Sequence, residues 1–138
     1  MPRENLRKTG SQMEEAAAAY LTERGVTILV RNFRSRTAEI DVVGKQDGTL
    51  WFIEVKARAE NQKSVTAPEA VGTAKQKRIC RCADYYMHSK GIDPYRTGIR
   101  FDVVAITMRE DKEPEIRWIK NAFNYTAYSN SKPHWRVW

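Results

Sequence analysis

The sequence lacks the features typical of membrane, secreted or zinc-binding proteins. No apolar run approaches the roughly 18 residues of a transmembrane helix, and residues 1–5 lead into no apolar signal-peptide core. The two cysteines, Cys80 and Cys82, are two apart in a predicted helix, where side chains at i and i+2 point to different sides. We therefore expect no disulfide, no zinc site and a reduced, cytoplasmic location. With only two histidines, a His-rich metal site is also excluded.

The chain does have the length of one domain and a strong positive charge. Its 138 residues bury enough surface to fold without disulfides or a structural metal. Lys and Arg number 24 against 17 Asp and Glu, so the formal net charge is +7. A domain this basic typically binds a polyanion, either nucleic acid or an anionic membrane surface.

Periodicity and turn residues predict the element order α-β-β-β-α-β-β. The first helix is expected to begin at Ser11, in a capping box with Glu14, and to end at Gly25. The remaining elements are strands at 26–30, 38–44, 50–57, 99–107 and 116–120 and a helix at 72–89. This order favours an α/β domain with a mixed central sheet flanked by helices. The domain covers 1–124, with a loose basic lead at 1–9 and an aromatic, polar, partly ordered tail at 125–138.

The second and third strands are predicted to form a hairpin that places charged residues together. The dipeptide Asp47-Gly48 indicates a type I′ turn. Residues whose numbers sum to 95 then face each other, so Asp41 lies opposite Glu54 and Glu39 lies opposite Lys56. Strand alternation puts these four side chains on one face. Ile40 and Val42 pair with Val55 and Ile53 on the other face, which is a core face.

The opposed carboxylates of this hairpin need a physical reason, because like charges directly across a ladder are destabilising. A divalent cation is one reason, since Mg²⁺ commonly binds one or two carboxylates together with waters and a substrate phosphate. Lys56 would then orient or deprotonate a water, or neutralise charge on a phosphate. The alternative is structural: Glu39 and Lys56 form an ordinary ion pair, and Asp41 and Glu54 face solvent.

Several stretches of the chain, in order, resemble the bacterial YraN family. They are NFRSRTAEIDVV at 32–43, FIEVKAR at 52–58, Ala70-Val71 with KQKR at 75–78, RFDVVA at 100–105 and WIKNAF at 118–123. The resemblance covers residues 10–124. It implies a restriction-endonuclease-like fold of the PD-(D/E)xK nucleases, similar to archaeal Holliday-junction resolvases. Met13, Ala38 and Gly72 depart from the family pattern, as does a loop at 59–67 without the usual glycine, but every expected ligand is kept.

The resemblance also implies roles for individual residues. Asp41, Glu54 and Glu14 match metal ligands for Mg²⁺ or Mn²⁺, Lys56 completes the (D/E)xK pair, and Gln76 matches a polar residue that positions the lysine or the water. Glu39 belongs to the Glu-Ile-Asp triplet as an accessory residue. Alternatives remain for two of these residues: Glu14 as a capping residue, and Gln76, which shares a helical face with Ile79 and Ala83, as a buried amide with ordinary hydrogen-bond partners.

Basic residues cluster on the second helix and around the hairpin, where we expect them to contact phosphates. They are Lys75, Lys77, Arg78 and Arg81 on the helix and Arg34, Arg36 and Arg58 beside the hairpin. The alternative is a solvated helix face and solvated loops. Arg100 and Asp102 alternate on the fourth strand and are interpreted as a structural ion pair.

The sequence therefore predicts a metal-dependent endonuclease that hydrolyses phosphodiester bonds in structured or branched DNA. Cutting two strands of a symmetric junction would favour a homodimer. The main alternative is a nucleic-acid-binding module that keeps the fold without cleavage. A third reading, a protein-interaction scaffold on membranes or ribosomes, accounts for the charge but leaves the opposed carboxylates unexplained.

Overall fold

The computed structural model describes the backbone of residues 3–59 and 71–125 and the side chains of residues 12–58 and 71–125. The expected tail beyond Tyr125, and most of the predicted loop between the third strand and the second helix, lie outside the described residues. Within the described part of the chain, no helix combines the length and the apolar character needed to cross a membrane.

The elements follow the predicted order. They are α1 (Arg3–Glu23), β1 (Thr27–Arg34), β2 (Glu39–Gln46), β3 (Thr49–Ala59), α2 (Thr73–Ser89), β4 (Gly98–Met108) and β5 (Glu115–Phe123). The five strands form one sheet in chain order. β3 and β4 are parallel and the other neighbours are antiparallel. A parallel pair needs a crossover connection, and α2 lies within it. This mixed α/β architecture is compatible with the restriction-endonuclease-like fold.

Each helix covers one face of the sheet and has its own apolar core. The core under α1 includes Met13, Ala17, Leu21, Val42, Trp51, Ile53, Val104 and Ile106. The core under α2 includes Ile40, Val43, Phe52, Ile79, Ala83, Met87, Phe101 and Val103. The central strands β3 and β4 contribute to both cores, which explains why they are apolar on both faces.

Helix α1 begins earlier than the sequence predicted. It begins at Arg3, so most of the lead that was predicted to be loose at 1–9 has a helical backbone. Ser11 therefore lies inside the helix and cannot be its N-cap, and the predicted capping box is wrong. The residues before Ser11 include Arg, Glu, Leu and Lys, which favour helix. The predicted end of the helix is confirmed: Gly25 adopts a φ of 90°, and its N–H bonds to the carbonyl of Thr22.

The two edge strands are longer than predicted, because irregularities interrupt their alternation. β1 shifts register between Ile28 and Val30, and Asn32 then adopts a φ of 55°. β5 continues to Phe123, past Asn121 with a φ of 53°. A bulge changes which residues share a face, so a period of two no longer detects the strand. The residues after Val30, which the sequence analysis left outside the first strand, are therefore strand as far as Arg34.

The hairpin turn and its register agree with the prediction. Asp47 and Gly48 have φ values of 50° and 77°, as a type I′ turn requires. The ladder runs from Gln46 opposite Thr49 to Val42 opposite Ile53, and each of these pairs sums to 95.

A buried polar cluster around Asp102 ties β4 to β5. Asp102 is 1% exposed and accepts hydrogen bonds from the Arg100 guanidinium, the Trp118 Nε1–H at 2.8 Å and the Asn121 N–H at 2.8 Å. The Arg100 guanidinium also lies 4.0 Å from the centre of the Trp51 ring. The prediction that Arg100 and Asp102 form a structural pair is confirmed, since these contacts all lie within the protein itself.

The two cysteines are free thiols within the core under α2. Cys80 and Cys82 are both buried, and neither forms a disulfide, as predicted. Burial, reinforced by the charge of Asp84, raises the pKa of Cys80 to about 12, so its thiol stays protonated at neutral pH.

Candidate active site

The candidate site begins where the β2–β3 ladder ends. Beyond the pair Val42–Ile53, a side chain replaces the backbone as hydrogen-bond partner. The Oδ2 of Asp41 accepts a hydrogen bond of 2.7 Å from the backbone N–H of Val55. Ile40 lies in the core under α2, whereas Val42 lies in the core under α1. Residues i and i+2 of a regular strand share a face, so the pleat is broken at Asp41. The prediction that Ile40 and Val42 share one core face is wrong for this reason.

Asp41 sits in surroundings that disfavour its negative charge. Burial, which is the largest cause, and the neighbouring carboxylate of Glu54 raise its pKa to about 7. Glu39 and Glu14 raise it further, while the hydrogen bond from Val55 lowers it. Three predicted site residues, drawn from α1, β2 and β3, therefore act electrostatically on Asp41 at this point.

Glu54 has a cationic partner that the sequence did not indicate. Lys75 on α2 places its Nζ 2.6 Å from Glu54 Oε1. The Glu54 side chain is only 14% exposed, whereas Lys75 is half exposed. Lys75 was predicted to contact phosphates from the helix surface. In the structure it neutralises the glutamate, and no spacing in the sequence could show this because it depends on how α2 is rotated against the sheet.

The other two charged residues of the hairpin are arranged differently from each other. Glu39 forms an ion pair with Arg34 of β1 at 3.5 Å. This contact lies on the opposite side of β2 from Lys56, which was its predicted ladder partner. Lys56 follows Glu54 by two residues on β3, whose pairing with β4 is continuous, so the two side chains share one face of the sheet.

Gln76 is used to organise the start of α2. Its Nε2 donates a hydrogen bond of 2.7 Å to the carbonyl of Val71, and its backbone N–H bonds to the carbonyl of Gly72. These contacts support the interpretation of Gln76 as a satisfied structural amide. A direct role beside the carboxylates remains a prediction.

The donor set at this position suits a hard divalent cation. Asp41 and Glu54 supply carboxylate oxygens, and one or two of these together with waters and phosphate are what Mg²⁺ requires from a protein. Among the side chains that the structure describes, no group of three or more His, Cys, Asp or Glu could hold a metal ion. The three-ligand set with Glu14 therefore stays a prediction, and the fit rests on the Asp41–Glu54 pair and on the repulsion that a cation would relieve.

Most of the predicted phosphate-binding residues lie at the surface. On α2, Lys77, Arg78 and Arg81 are exposed, and beside the hairpin Arg34 and Arg36 are exposed while Arg58 is partly buried. Since Lys75 contacts Glu54, the basic face of α2 reaches the carboxylates at its first turn. The candidate binding surface and the candidate site are therefore contiguous along this helix.

The fold and the site together define a class of α/β protein. Its members have a single mixed sheet between two helices, with acidic residues and a lysine where the regular pairing of the β2–β3 hairpin ends. Residues 13–106 match the profile described as uncharacterised protein family UPF0102. The chain belongs to this family, which is the YraN family.

Individual relatives extend this match over most of the chain. A UPF0102 protein from Chlorobium phaeobacteroides is 47% identical over 107 residues, which is 78% of this chain and 82% of the relative. UPF0102 proteins from Marinobacter nauticus and Lachnoclostridium phytofermentans are 38% and 43% identical, covering 88% and 87% of this chain and 97% and 96% of theirs.

Proposed function

We propose that this protein is a metal-dependent endonuclease that hydrolyses phosphodiester bonds in structured or branched DNA. The observation that carries the proposal is the convergence of Glu14, Glu39 and Glu54 on the partly buried Asp41. Such a concentration of like charge costs stability when no cation is bound, and strongly shifted carboxylates of this kind are typical of functional sites. The proposed cofactor is Mg²⁺ or Mn²⁺.

Each residue has a task in the proposed reaction. Asp41 and Glu54 would hold the metal, which when bound supplies Lewis-acid stabilisation of the phosphate oxygens. Lys56, on the same face of β3 as Glu54, would orient the attacking water or offset the charge that develops on the phosphate. Lys75 bonds to Oε1 of Glu54, which leaves Oε2 to bind a cation; where the metal displaces Lys75, its ammonium would be available to a phosphate.

The test is cleavage of labelled four-way-junction, flap, single-stranded and duplex DNA with Mn²⁺ or Mg²⁺. Asp41→Asn and Lys56→Ala should abolish cutting. Asp47→Asn and Lys45→Ala make the same chemical changes at exposed positions of the same hairpin and should leave cutting intact. If the wild type cuts none of these substrates, or if all four variants behave alike, the proposal is wrong.

One observation favours the alternative of a nucleic-acid-binding module without cleavage. Lys75 already neutralises Glu54, and a module without catalysis would need no other cation there. Calorimetric titration with Mn²⁺ separates the two functions. Binding that is lost in Asp41→Asn supports the nuclease. Salt-sensitive DNA binding without any Mn²⁺ binding supports the module.

The proposal extends to the assembly and its location. A homodimer would present two sites to the two strands of a symmetric junction, and we propose a cytoplasmic location from the reduced cysteines. Sedimentation of the protein with and without junction DNA tests the dimer. A monomer on a junction that is nevertheless cut on two strands would contradict it.

A further inference from the structure

One exposed surface beside the candidate site combines cations with aromatic rings; we call it the Tyr85 surface. It consists of Phe33, Arg34 and Arg36 from β1 and the turn after it, and of Arg78, Arg81 and Tyr85 from α2. The last three stand at positions i, i+3 and i+7 of the helix, so they share its outer face. All of these residues are exposed except Phe33, which is partly buried.

The ring of Tyr85 packs against another aromatic ring on one side and is about half exposed to solvent. It is 52% exposed, and its centroid lies 6.0 Å from that of Phe33 at an interplanar angle of 35°. Phe33 itself packs edge-on against the buried Tyr86 at 5.1 Å. The Tyr85 ring is therefore held from one side by a ring anchored in the core, while much of its surface remains open to solvent.

The turn after β1 brings further cations to the same place. Cys82 Sγ lies 3.5 Å from the carbonyl of Ala38 and 3.9 Å from that of Phe33, which fixes this turn against the middle of α2. Arg36 lies in this turn, and Arg34, which is ion-paired with Glu39, directly precedes it at the end of β1. β2 starts directly afterwards and reaches Asp41 two residues beyond its first residue, Glu39. The turn beside Tyr85 is thus joined to the candidate site by the first residues of β2.

Among the described residues, three large hydrophobic side chains are exposed, Leu29, Tyr85 and Tyr95. Tyr85 is the one that shares a helix face with Arg78 and Arg81 and packs against Phe33, which precedes Arg34 in the chain. Arginines suit phosphates, and an open aromatic ring suits the face of a nucleobase. Bases inside a duplex are stacked on one another and offer no free face. An unpaired strand offers both phosphates and bases.

We infer that the Tyr85 surface binds single-stranded nucleic acid, with an unpaired base stacked on Tyr85 and the strand leading towards Asp41. This inference rests on the proposed function and narrows its substrate to DNA that carries an unpaired segment. Lys75 and Tyr85 are ten residues apart on α2, or about 15 Å along its axis. That distance corresponds to about four nucleotides at the 3.4 Å spacing of a B-form strand, and to fewer nucleotides of an extended unpaired strand.

The test measures binding without metal, so that it does not depend on cleavage. Fluorescence anisotropy compares a labelled single-stranded oligonucleotide with the same sequence as a duplex. Tyr85→Ala should weaken single-strand binding about tenfold and duplex binding by no more than about twofold, whereas Tyr85→Phe keeps the stacking ring and the affinity. Tyr95→Ala removes another exposed tyrosine, 67% exposed on the loop after α2, and serves as the matched control.

The outcomes separate this inference from the proposed function. Unchanged single-strand binding in Tyr85→Ala overturns the inference, as does an equal loss for single strand and duplex. If sedimentation shows instead that Tyr85→Ala dissociates a dimer while single-strand binding persists, the surface is an interface between copies and the inference is wrong. Selective loss in Tyr85→Ala supports it, even if the protein binds no Mn²⁺ and the nuclease proposal fails.

Discussion

At the scale of single residues, Asp41 joins two roles that oppose each other energetically. Its Oδ2 replaces a ladder partner by accepting the Val55 N–H, which stabilises the hairpin. Its negative charge is raised in energy by burial and by three neighbouring glutamates. The hydrogen bond needs only an oxygen, whereas metal binding needs the charge, so a neutral isostere separates the two roles.

This separation predicts an unusual pH dependence of stability in the metal-free protein. The folded state holds the Asp41 proton up to about pH 7, whereas the unfolded chain releases it near 3.8, so the folded state binds more protons between these values. Stability should therefore fall as pH rises through this window, by at most about 4 kcal/mol. Urea unfolding of the wild type and Asp41→Asn across pH 4–8 should show a smaller fall in the variant. Parallel curves would contradict the assignment.

Lys75 predicts a competition between a side chain and a metal ion. Since its ammonium lies 2.6 Å from Glu54 Oε1, removing it should make that carboxylate available to a cation. Lys75→Met is expected to bind Mn²⁺ about tenfold more tightly, as the loss of a charge-assisted hydrogen bond implies. Calorimetry measures the affinity. Lys77→Met loses the same charge at the neighbouring exposed helix position, and an equal gain there would show that only net charge matters.

At the scale of elements, the hairpin of β2 and β3 was the best predicted part of the fold, and its end was the worst predicted. Asp47-Gly48 determined the turn and the register from Gln46 to Val42, because φ above zero at both positions leaves one turn type. The break at Asp41 was not predictable. It arises from a side chain replacing a backbone partner, which a strict alternation of faces does not anticipate.

The same distinction applies to the helices and to the candidate site. The end of α1 at Gly25 followed from local backbone chemistry, whereas its start depended on residues with no strong stop signal. Asp41 and Glu54 could be singled out from the sequence because they directly adjoin the last predicted ladder pair, Val42 and Ile53, whereas the role of Glu14 came from the family resemblance. The contact of Lys75 with Glu54 joins residues from either side of the β3–α2 connection and depends on packing. The tertiary arrangement alone reveals it.

Where β2 packs against the chain segment that joins α1 to β1, Gly44 has no room for a side chain. A Cβ on Gly44 of β2 would lie 2.6 Å from Val26 Cγ1, inside the core under α1. Gly44→Ala is expected to lower the free energy of unfolding by about 1–3 kcal/mol through overpacking. Gly72→Ala, where a Cβ meets nothing within 4 Å, is the control for thermal and urea unfolding; its own cost, about 0.5–1 kcal/mol, is the loss of a favoured N-cap residue of α2. Equal stability of the two variants would show that β2 moves freely to admit the methyl group.

At the scale of the whole molecule, the charge of +7 predicts that nucleic-acid affinity falls steeply with salt. Replacing a phosphate-contacting residue should also flatten the dependence itself. Arg78→Gln is expected to reduce the slope of log K against log salt by about 0.7 for a single strand. Tyr85→Ala should lower affinity without changing the slope. Lys112→Gln removes one charge from the exposed β4–β5 connection and should leave the slope unchanged. If Arg78→Gln and Lys112→Gln reduce the slope equally, the salt dependence reflects the net charge of the protein and not a phosphate contact at Arg78.

The convergence of acidic side chains on Asp41 also has an evolutionary consequence. Glu14, Glu39 and Glu54 each raise the energy of the ionised form of Asp41, while Glu39 and Glu54 also have basic partners in Arg34 and Lys75. Under the proposed function, selection for activity would therefore keep these acidic residues and their basic partners together, at some cost to the stability of the metal-free fold.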